Sequence, residues 1–250
     1  MTITTNPKLA KVRSLLDTAE SLAGQGNTEA AENYRNKAIS LMVTHGIDEA
    51  MVAAAAHKRE EPEQRTFQVP NPYRVDKQLL LQYAAEGLGC KTVRLRNSAT
   101  VHIVGFPSDL DRVEMLWTSL LLQAFGEAAQ TSGPTISPAW GWLTGAEKGR
   151  ARVSYTKSFL SGFSVVIGRR LHEATARARQ DYETSHHVST ALVVVDRAKQ
   201  VQSTFAAAHP RVRASGRQIS NGIAYGRGGE AGQRADIGAT RVGGLRKQIG

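Results

Sequence analysis

Two short β-branched runs lie between two amphipathic segments and restrict the possible folds of this chain. The runs cover residues 91–95 and 101–104 and are separated by a turn at residues 97–98. Strands this close in sequence have to pair as an antiparallel hairpin, because a parallel pair needs a crossover of a dozen residues or more. Apolar residues at helical spacing predict flanking helices over residues 76–88 and 109–129. The sequence therefore predicts an α+β fold rather than a doubly wound parallel sheet.

The predicted α+β domain covers residues 75–208. Its hairpin and flanking helices are followed by a long helix, predicted from about residue 152 to residue 183. The run ALVVVDR, residues 191–197, is short and rich in valine, so it is predicted to be a third strand. A final helix is predicted over the segment AKQVQSTFAAAH that follows.

Helical spacing also predicts a helical hairpin domain over residues 1–56. Its first apolar stripe begins at Val12 and Leu15, and glycines within residues 24–27 interrupt it before a second stripe begins. Two helices joined by a short turn bury their stripes against each other. A DNA-reading helix-turn-helix is the alternative, although Glu29 on its second helix matches phosphate poorly.

The segments KVRSLLDTAE, AAENYRNKAISLM and HGIDEA, in this order, resemble the family known as domain of unknown function 2786. The segments VPNPYRVDKQLLLQYAAEGLGCKTVRL, VHIVGFPSDLDRVEMLW and SYTKSFLSGFSVVIGRRL resemble the companion domain usually joined to it. The resemblance covers most of residues 8–180. It implies no activity, because the family has no settled function, but its members occur in bacteria and their phages, which implies a phage or mobile-element origin.

Composition excludes several classes of protein. The chain has no run of 18 or more apolar residues and no apolar signal segment at its N-terminus, so no contact with a membrane is predicted and a cytoplasmic location is expected. The single cysteine, Cys90, excludes an internal disulfide framework and a zinc site built on paired cysteines.

Positive charge is concentrated in the C-terminal part of the chain. Residues 150–250 hold 17 Lys and Arg against six acidic residues, a net charge of +11 that leaves residues 1–149 at −1. This asymmetry predicts a polyanionic partner, DNA or RNA, for the C-terminal third. The long helix is not the predicted contact, because Glu173 lies four residues from both Arg169 and Arg177 and such spacing gives intrahelical ion pairs.

The predicted interface is a flexible, Gly/Arg-rich tail over residues 209–250, which follows the α+β domain. Arg-Gly tails bind RNA and single strands through phosphate contacts and guanidinium stacking. The candidate nucleic-acid-binding residues are Arg211, Arg213, Arg217, Arg227, Arg234, Arg241, Arg246 and Lys247. The alternative is a tail that docks on its own domain or on a partner assembly, since the glycine pairs Gly222/Gly226 and Gly228/Gly232 would permit close helix packing.

Two further segments leave alternatives open. Residues 57–74, HKREEPEQRTFQVPNPYR, are charged and then rich in proline, and are predicted to be a linker. Trp140 and Trp142, in the Gly/Pro-rich loop over residues 131–150, either pin that loop to the core or stack on unpaired bases.

The turn before the second predicted helix resembles a phosphate-binding corner but has only one glycine, Gly105. Ser108 and Asp111 instead predict a capping box, with aspartate in the place of the usual Glu or Gln. Asp109 and Asp111 could hold a divalent metal, as carboxylate pairs do in nucleases. No third ligand is recognisable nearby, so no metal site, cofactor or catalytic residue is predicted.

The leading hypothesis is a non-catalytic, sequence-nonspecific nucleic-acid-binding accessory protein, with a phage-encoded origin implied by the resemblance. A structural or protein-interaction module whose basic tail contacts acidic protein surfaces is the alternative. A metal-dependent nuclease that uses Asp109 or Asp111 is the second alternative.

Overall fold

The computed structural model describes residues 60–132, 142–187, 189–213 and 219–237, together with scattered residues between 11 and 46. The elements of this part are β1 (Glu63–Gln68), α1 (Arg74–Gly87), β2 (Lys91–Arg94), β3 (Thr100–Gly105), α2 (Pro107–Thr131), α3 (Gly145–His186), α4 (Ala191–Ala208) and α5 (Gly222–Arg234). Helices pack around one small antiparallel sheet, so the predicted α+β class is confirmed. None of the described helices has the length and apolar character needed to cross a bilayer.

The sheet has the strand order β1-β3-β2, with both pairings antiparallel. His102 in the central strand lies opposite Thr66 of β1 and Val93 of β2. The predicted hairpin is therefore confirmed as β2 and β3. Its turn contains Asn97, which has a positive φ of 56°, a conformation that asparagine tolerates better than most residues.

Strand β1 corrects the predicted linker over residues 57–74. Residues 63–68 form the edge of the sheet, where Phe67 is the one buried residue of the strand and four of its six residues are exposed. An edge strand that buries a single side chain carries almost no apolar alternation. Its composition therefore resembles that of a linker.

One face of the sheet packs on α1 and α2. Phe67, Val101 and Ile103 of the sheet form a buried cluster with Leu81 of α1 and Leu110 of α2. A second and larger cluster surrounds α3, whose middle section is buried on every side by α1, α2 and α5. Its main side chains include Tyr155, Phe159, Phe163, Leu80, Leu116 and Leu120.

Helix α4 corrects the predicted third strand at residues 191–197. The whole segment Ala191–Ala208 is helical. Val201 is buried with Val104 and Phe106 against the outer face of the sheet, and Phe205 packs beside it. These contacts lie beyond the valine run, so the prediction followed local β propensity where tertiary contacts determine the structure.

Helix α5 corrects the prediction that residues 209–250 form a flexible tail. Ala224 and Ala231 of α5, and Ile237 after it, are buried in the cluster around α3. Asn221 caps the helix, since its side chain accepts a hydrogen bond from the backbone N–H of Ala224 at 2.9 Å. The alternative of a tail that docks on its own domain is therefore correct for this segment.

Glycines bring α5 and α3 into backbone contact. A Cβ on Gly228 would lie 2.0 Å from the carbonyl oxygen of Phe159, and a Cβ on Gly162 would lie 2.0 Å from that of Tyr225. The predicted small-residue pair Gly228/Gly232 is thus the one that faces α3. Gly222 and Gly226 face open space.

The predicted helical hairpin over residues 1–56 lies largely outside the described residues. Val12 and Leu15, which are described, are helical, and Gln25 lies in a turn. Asn27 accepts a hydrogen bond from the backbone N–H of Ala30 at 3.2 Å. Val12 is fully buried in the cluster around α3, so this end of the chain packs against the α+β part.

Candidate nucleic-acid interface

The corner before α2 holds a buried ionic cluster and no capping box. Helix α2 begins at Pro107, and its N-cap, Phe106, makes no side-chain capping bond. The Asp109 carboxylate binds Arg112 through Oδ1 and Arg197 through Oδ2, the latter at 2.9 Å. Arg197 also lies 3.5 Å from the centroid of the Phe106 ring. The cluster joins α4 to α2, and the predicted capping box of Ser108 and Asp111 is wrong.

The two carboxylates of this corner have arginine partners. Asp111 pairs with Arg65 of β1 at 2.6 Å, while Asp109 is engaged through both of its oxygens. Within the described ranges, no three His, Cys, Asp or Glu side chains gather as metal ligands would. The arrangement supports the attachment of α4 and β1 to α2 and offers little to the nuclease alternative.

Ser108→Ala is expected to leave the free energy of unfolding unchanged or to raise it by up to about 1 kcal/mol. The Ser108 hydroxyl is buried and has no hydrogen-bond partner among the described residues, so alanine removes a desolvated polar group. Urea denaturation followed by circular dichroism measures the change. A decrease of about 0.5–2 kcal/mol, the usual cost of a lost N-cap, would instead restore the capping interpretation.

Cys90 is buried and unsuited to chemistry. Its side chain is 1 % exposed, and the backbone of Gly105 packs against its sulfur. Burial, together with the negative charge of Asp109, raises the pKa of the thiol. Because the thiolate is the nucleophile, a thiol held protonated in this way is inert.

The structure brings two of the predicted tail cations together, Arg211 and Arg213. Both are exposed, and neither forms an ion pair within the described residues. They follow His209, whose Nε2 lies 2.8 Å from Oε1 of Gln64 and whose ring contacts that of His102 on the outer face of the sheet. The chain that carries Arg211 and Arg213 is therefore attached beside β1 through His209.

Of the other six predicted cations, the structure describes two, Arg227 and Arg234, and both lie on α5. Arg227 is half-buried on α5, and Arg234 pairs with Glu127 of α2 at 3.2 Å. Arg217, Arg241, Arg246 and Lys247 lie outside the described residues. The eight predicted cations thus fall into three groups. Two are exposed and close in sequence, two lie on α5 and are half-buried or paired, and four lie outside the described residues.

A basic surface that the sequence did not indicate lies on the first turns of α3. The helix begins at a capping box, in which the Thr144 hydroxyl accepts from the N–H of Glu147 and the Glu147 carboxylate accepts from the N–H of Thr144 at 2.8 Å. The hydrogen bond from the Thr144 N–H, together with one that the Thr144 hydroxyl donates to the same carboxylate at 2.7 Å, lowers the pKa of Glu147. The carboxylate is therefore occupied at the helix end.

Four cations follow this cap, and Glu147 is the only acidic residue from the start of α3 to residue 172. The cations are Lys148, Arg150, Arg152 and Lys157, and all except the half-buried Lys148 are exposed. None of the four forms an ion pair with any residue that the structure describes. In contrast, Arg177 in the distal half of α3 pairs with Glu173 at 3.6 Å, as the spacing predicted.

Trp142 lies two residues before the capping residue Thr144 and is 91 % exposed. An indole that pinned its loop to the core would be buried, so the pinning alternative does not hold for Trp142. Trp140 lies outside the described residues. Exposed aromatic rings and cations without acidic partners are the groups with which proteins bind single strands, and Trp142 lies 6 to 15 residues before these four cations. We name Trp142, Lys148, Arg150, Arg152 and Lys157 the α3 basic surface, whose cations lie on two sides of the helix.

No protein-family model, curated protein or solved structure matches the chain. The resemblance to domain of unknown function 2786 therefore stays a prediction.

Proposed function

We propose that this protein is a non-catalytic, cytoplasmic accessory protein that binds single-stranded nucleic acid without sequence specificity. The observation that carries the proposal is the 91 % exposure of Trp142, two residues before the cap of a helix whose first cations have no described acidic partner. Exposing a full indole to water is unfavourable, and the ring gains most from a flat apolar partner such as a base.

The chemistry of the α3 basic surface supports phosphate contacts more than base reading. Arginine and lysine on an exposed helix neutralise phosphates, and such contacts carry no sequence information. Stacking on an indole is likewise tolerant of sequence, because every base has a π-face. Both features favour single strands, whose bases are free to leave the stack.

Arg211 and Arg213 supply a second group of cations for the same partner. They belong to the tail from which nucleic-acid binding was predicted, and their exposure supports that role. Under this proposal a strand crosses the α3 basic surface, and the tail cations add phosphate contacts. Binding then weakens as salt concentration rises, by about 0.7 in log K per unit of log salt for each neutralised phosphate.

A protein-interaction module is the second candidate, and helix α4 favours it. Leu192 is 85 % exposed and Val195 is 50 % exposed, and their spacing of three residues places them on one side of the helix. Exposed apolar side chains on one helical face are typical of protein contacts. This candidate predicts binding to a protein surface and no affinity for oligonucleotides.

The test of nucleic-acid binding is Trp142→Ala in the full chain, titrated against a fluorescent single-stranded 20-mer of mixed sequence. Kd is expected to rise about tenfold, because stacking contributes about 1–3 kcal/mol per base. The salt slope should stay unchanged, since no charge is lost. The measurement is fluorescence anisotropy at several salt concentrations, with a duplex of the same sequence for comparison.

Leu192→Ala is the matched control, because it also removes a large exposed apolar side chain that lies elsewhere on the surface. It should leave Kd within twofold of the value for the unchanged chain. If the unchanged chain shows no binding at low salt, the proposal fails and the protein-interaction candidate gains. Equal losses for both variants would also contradict a role for Trp142 in stacking.

A further inference from the structure

A groove runs between the first turns of α3 and the residues just before α5. Its volume is about 440 Å³, which falls within the range of small-molecule sites. The lining residues are Ala146, Gly149, Arg150, Val153, Ser154, Lys157 and Ser220. No acidic side chain is among these described lining residues.

Three serine hydroxyls form a chain, and two of the serines, Ser154 and Ser220, line this groove. Ser220 Oγ lies 3.0 Å from Ser154 Oγ and 3.3 Å from Ser158 Oγ. Ser158 Oγ also accepts a hydrogen bond from the backbone N–H of Asn221 at 3.1 Å. Three hydroxyls carry three protons, and the two hydroxyl–hydroxyl bonds use two of them. One hydroxyl proton therefore remains for an acceptor other than these serines.

Arg150 and Lys157 supply the charge. They are seven residues apart, which places them on the same side of α3 with Ser154 between them. Lys148 and Arg152 belong to the same turns, but helical spacing turns them to the other side of the helix. The groove thus combines two cations and a hydroxyl donor on one side, while an equal charge lies opposite.

We propose that this groove binds a single phosphate group of a ligand about the size of a mononucleotide. Phosphate offers several acceptor oxygens, which suit a guanidinium fork, an ammonium group and a hydroxyl donor together. The phosphate comes either from a free nucleotide or from a nucleic-acid strand. The proposal goes beyond general strand binding, because it gives one phosphate a fixed position and holds for a free nucleotide even if long strands do not bind.

The experiment titrates the full chain with inorganic phosphate, AMP and adenosine, followed by amide chemical shifts in NMR spectra. We expect AMP to bind, adenosine to bind at least tenfold more weakly, and the shifts to centre on Ser154 and Ser220. Arg150→Gln/Lys157→Gln should raise the Kd for AMP at least tenfold. Arg169→Gln/Arg177→Gln removes the same charge from the distal half of α3, outside the α3 basic surface, and should leave the Kd for AMP within twofold. Thermal unfolding verifies that both variants fold.

A single-stranded 20-mer separates the two sources of phosphate. If AMP binds and its affinity depends on Arg150 and Lys157, the ligand is a free nucleotide. If AMP does not bind but the affinity for the 20-mer depends on these two residues, the ligand is a phosphate of the strand. Equal effects of the two double variants on every ligand would overturn the proposal and leave only nonspecific charge attraction. Strand binding lost with Trp142→Ala while AMP binding persists would support the groove independently of the proposed function.

Discussion

Gly228→Ala is expected to lower the free energy of unfolding by about 3 kcal/mol, at the upper end of the usual cost of overpacking. The new Cβ would lie 2.0 Å from the carbonyl oxygen of Phe159 and 2.7 Å from its carbon. These are backbone atoms in the buried middle of α3, so relief requires that α5 move away. Urea denaturation followed by circular dichroism measures the loss.

Gly226→Ala is the matched control for this prediction. It lies in the same helix, is exposed and has no neighbour within 4 Å of the added Cβ. Alanine there should raise the free energy of unfolding by roughly 0.5–1 kcal/mol, because it removes backbone freedom from the unfolded chain. Similar losses for both variants would contradict the close contact between α5 and α3.

Asp109→Ala is expected to lower the free energy of unfolding by about 3–5 kcal/mol, because it removes the carboxylate that two largely buried arginines, Arg112 and Arg197, both bind. The side chains of Asp109, Arg112 and Arg197 are 14 %, 5 % and 17 % exposed. Chemical denaturation measures the effect. Arg197→Met in the same chain should recover part of the stability, since it removes a charge that has lost its Asp109 partner.

Asp109→Asn distinguishes this structural role from the nuclease alternative. It keeps the shape of the side chain but removes its charge, so thermal unfolding first measures the folded fraction of the variant. Oligonucleotide affinity should be unchanged, since Asp109 is remote in sequence from the α3 basic surface and is engaged by Arg112 and Arg197. Loss of a magnesium-dependent cleavage activity in a folded Asp109→Asn chain would reverse this assignment.

Periodicity predicted the elements that bury a full stripe or a full alternation. The hairpin and the helices α1 and α2 bury regular apolar positions, and their predicted bounds fall within two residues of those in the structure. Strand β1 buries only Phe67, so no alternation marked it. Helix α4 buries only Val201, and its valine run follows strand propensity instead. The secondary structure of an element with a single buried side chain is determined by the elements that pack against it, not by its own apolar pattern.

The sequence predicted that the candidate interface is basic, but it did not predict the cations on the first turns of α3. Composition indicated the C-terminal third, and Arg211 and Arg213 are exposed as that prediction requires. The cations from Lys148 to Lys157 were missed because the segment before them is rich in glycine and proline and was assigned to a loop. The signal that could have found them is Thr144 followed three residues later by Glu147, the pattern of a capping box.

The attachments of His209 and Asn221 change the thermodynamics of the basic segment between them. His209 is held at the sheet through Gln64, and Asn221 is held at α3 through Ser158. Arg211 and Arg213 therefore lie two and four residues from a fixed point of the chain. A cation this close to an attachment has fewer conformations than one on a free tail, so a phosphate that binds it costs less conformational entropy.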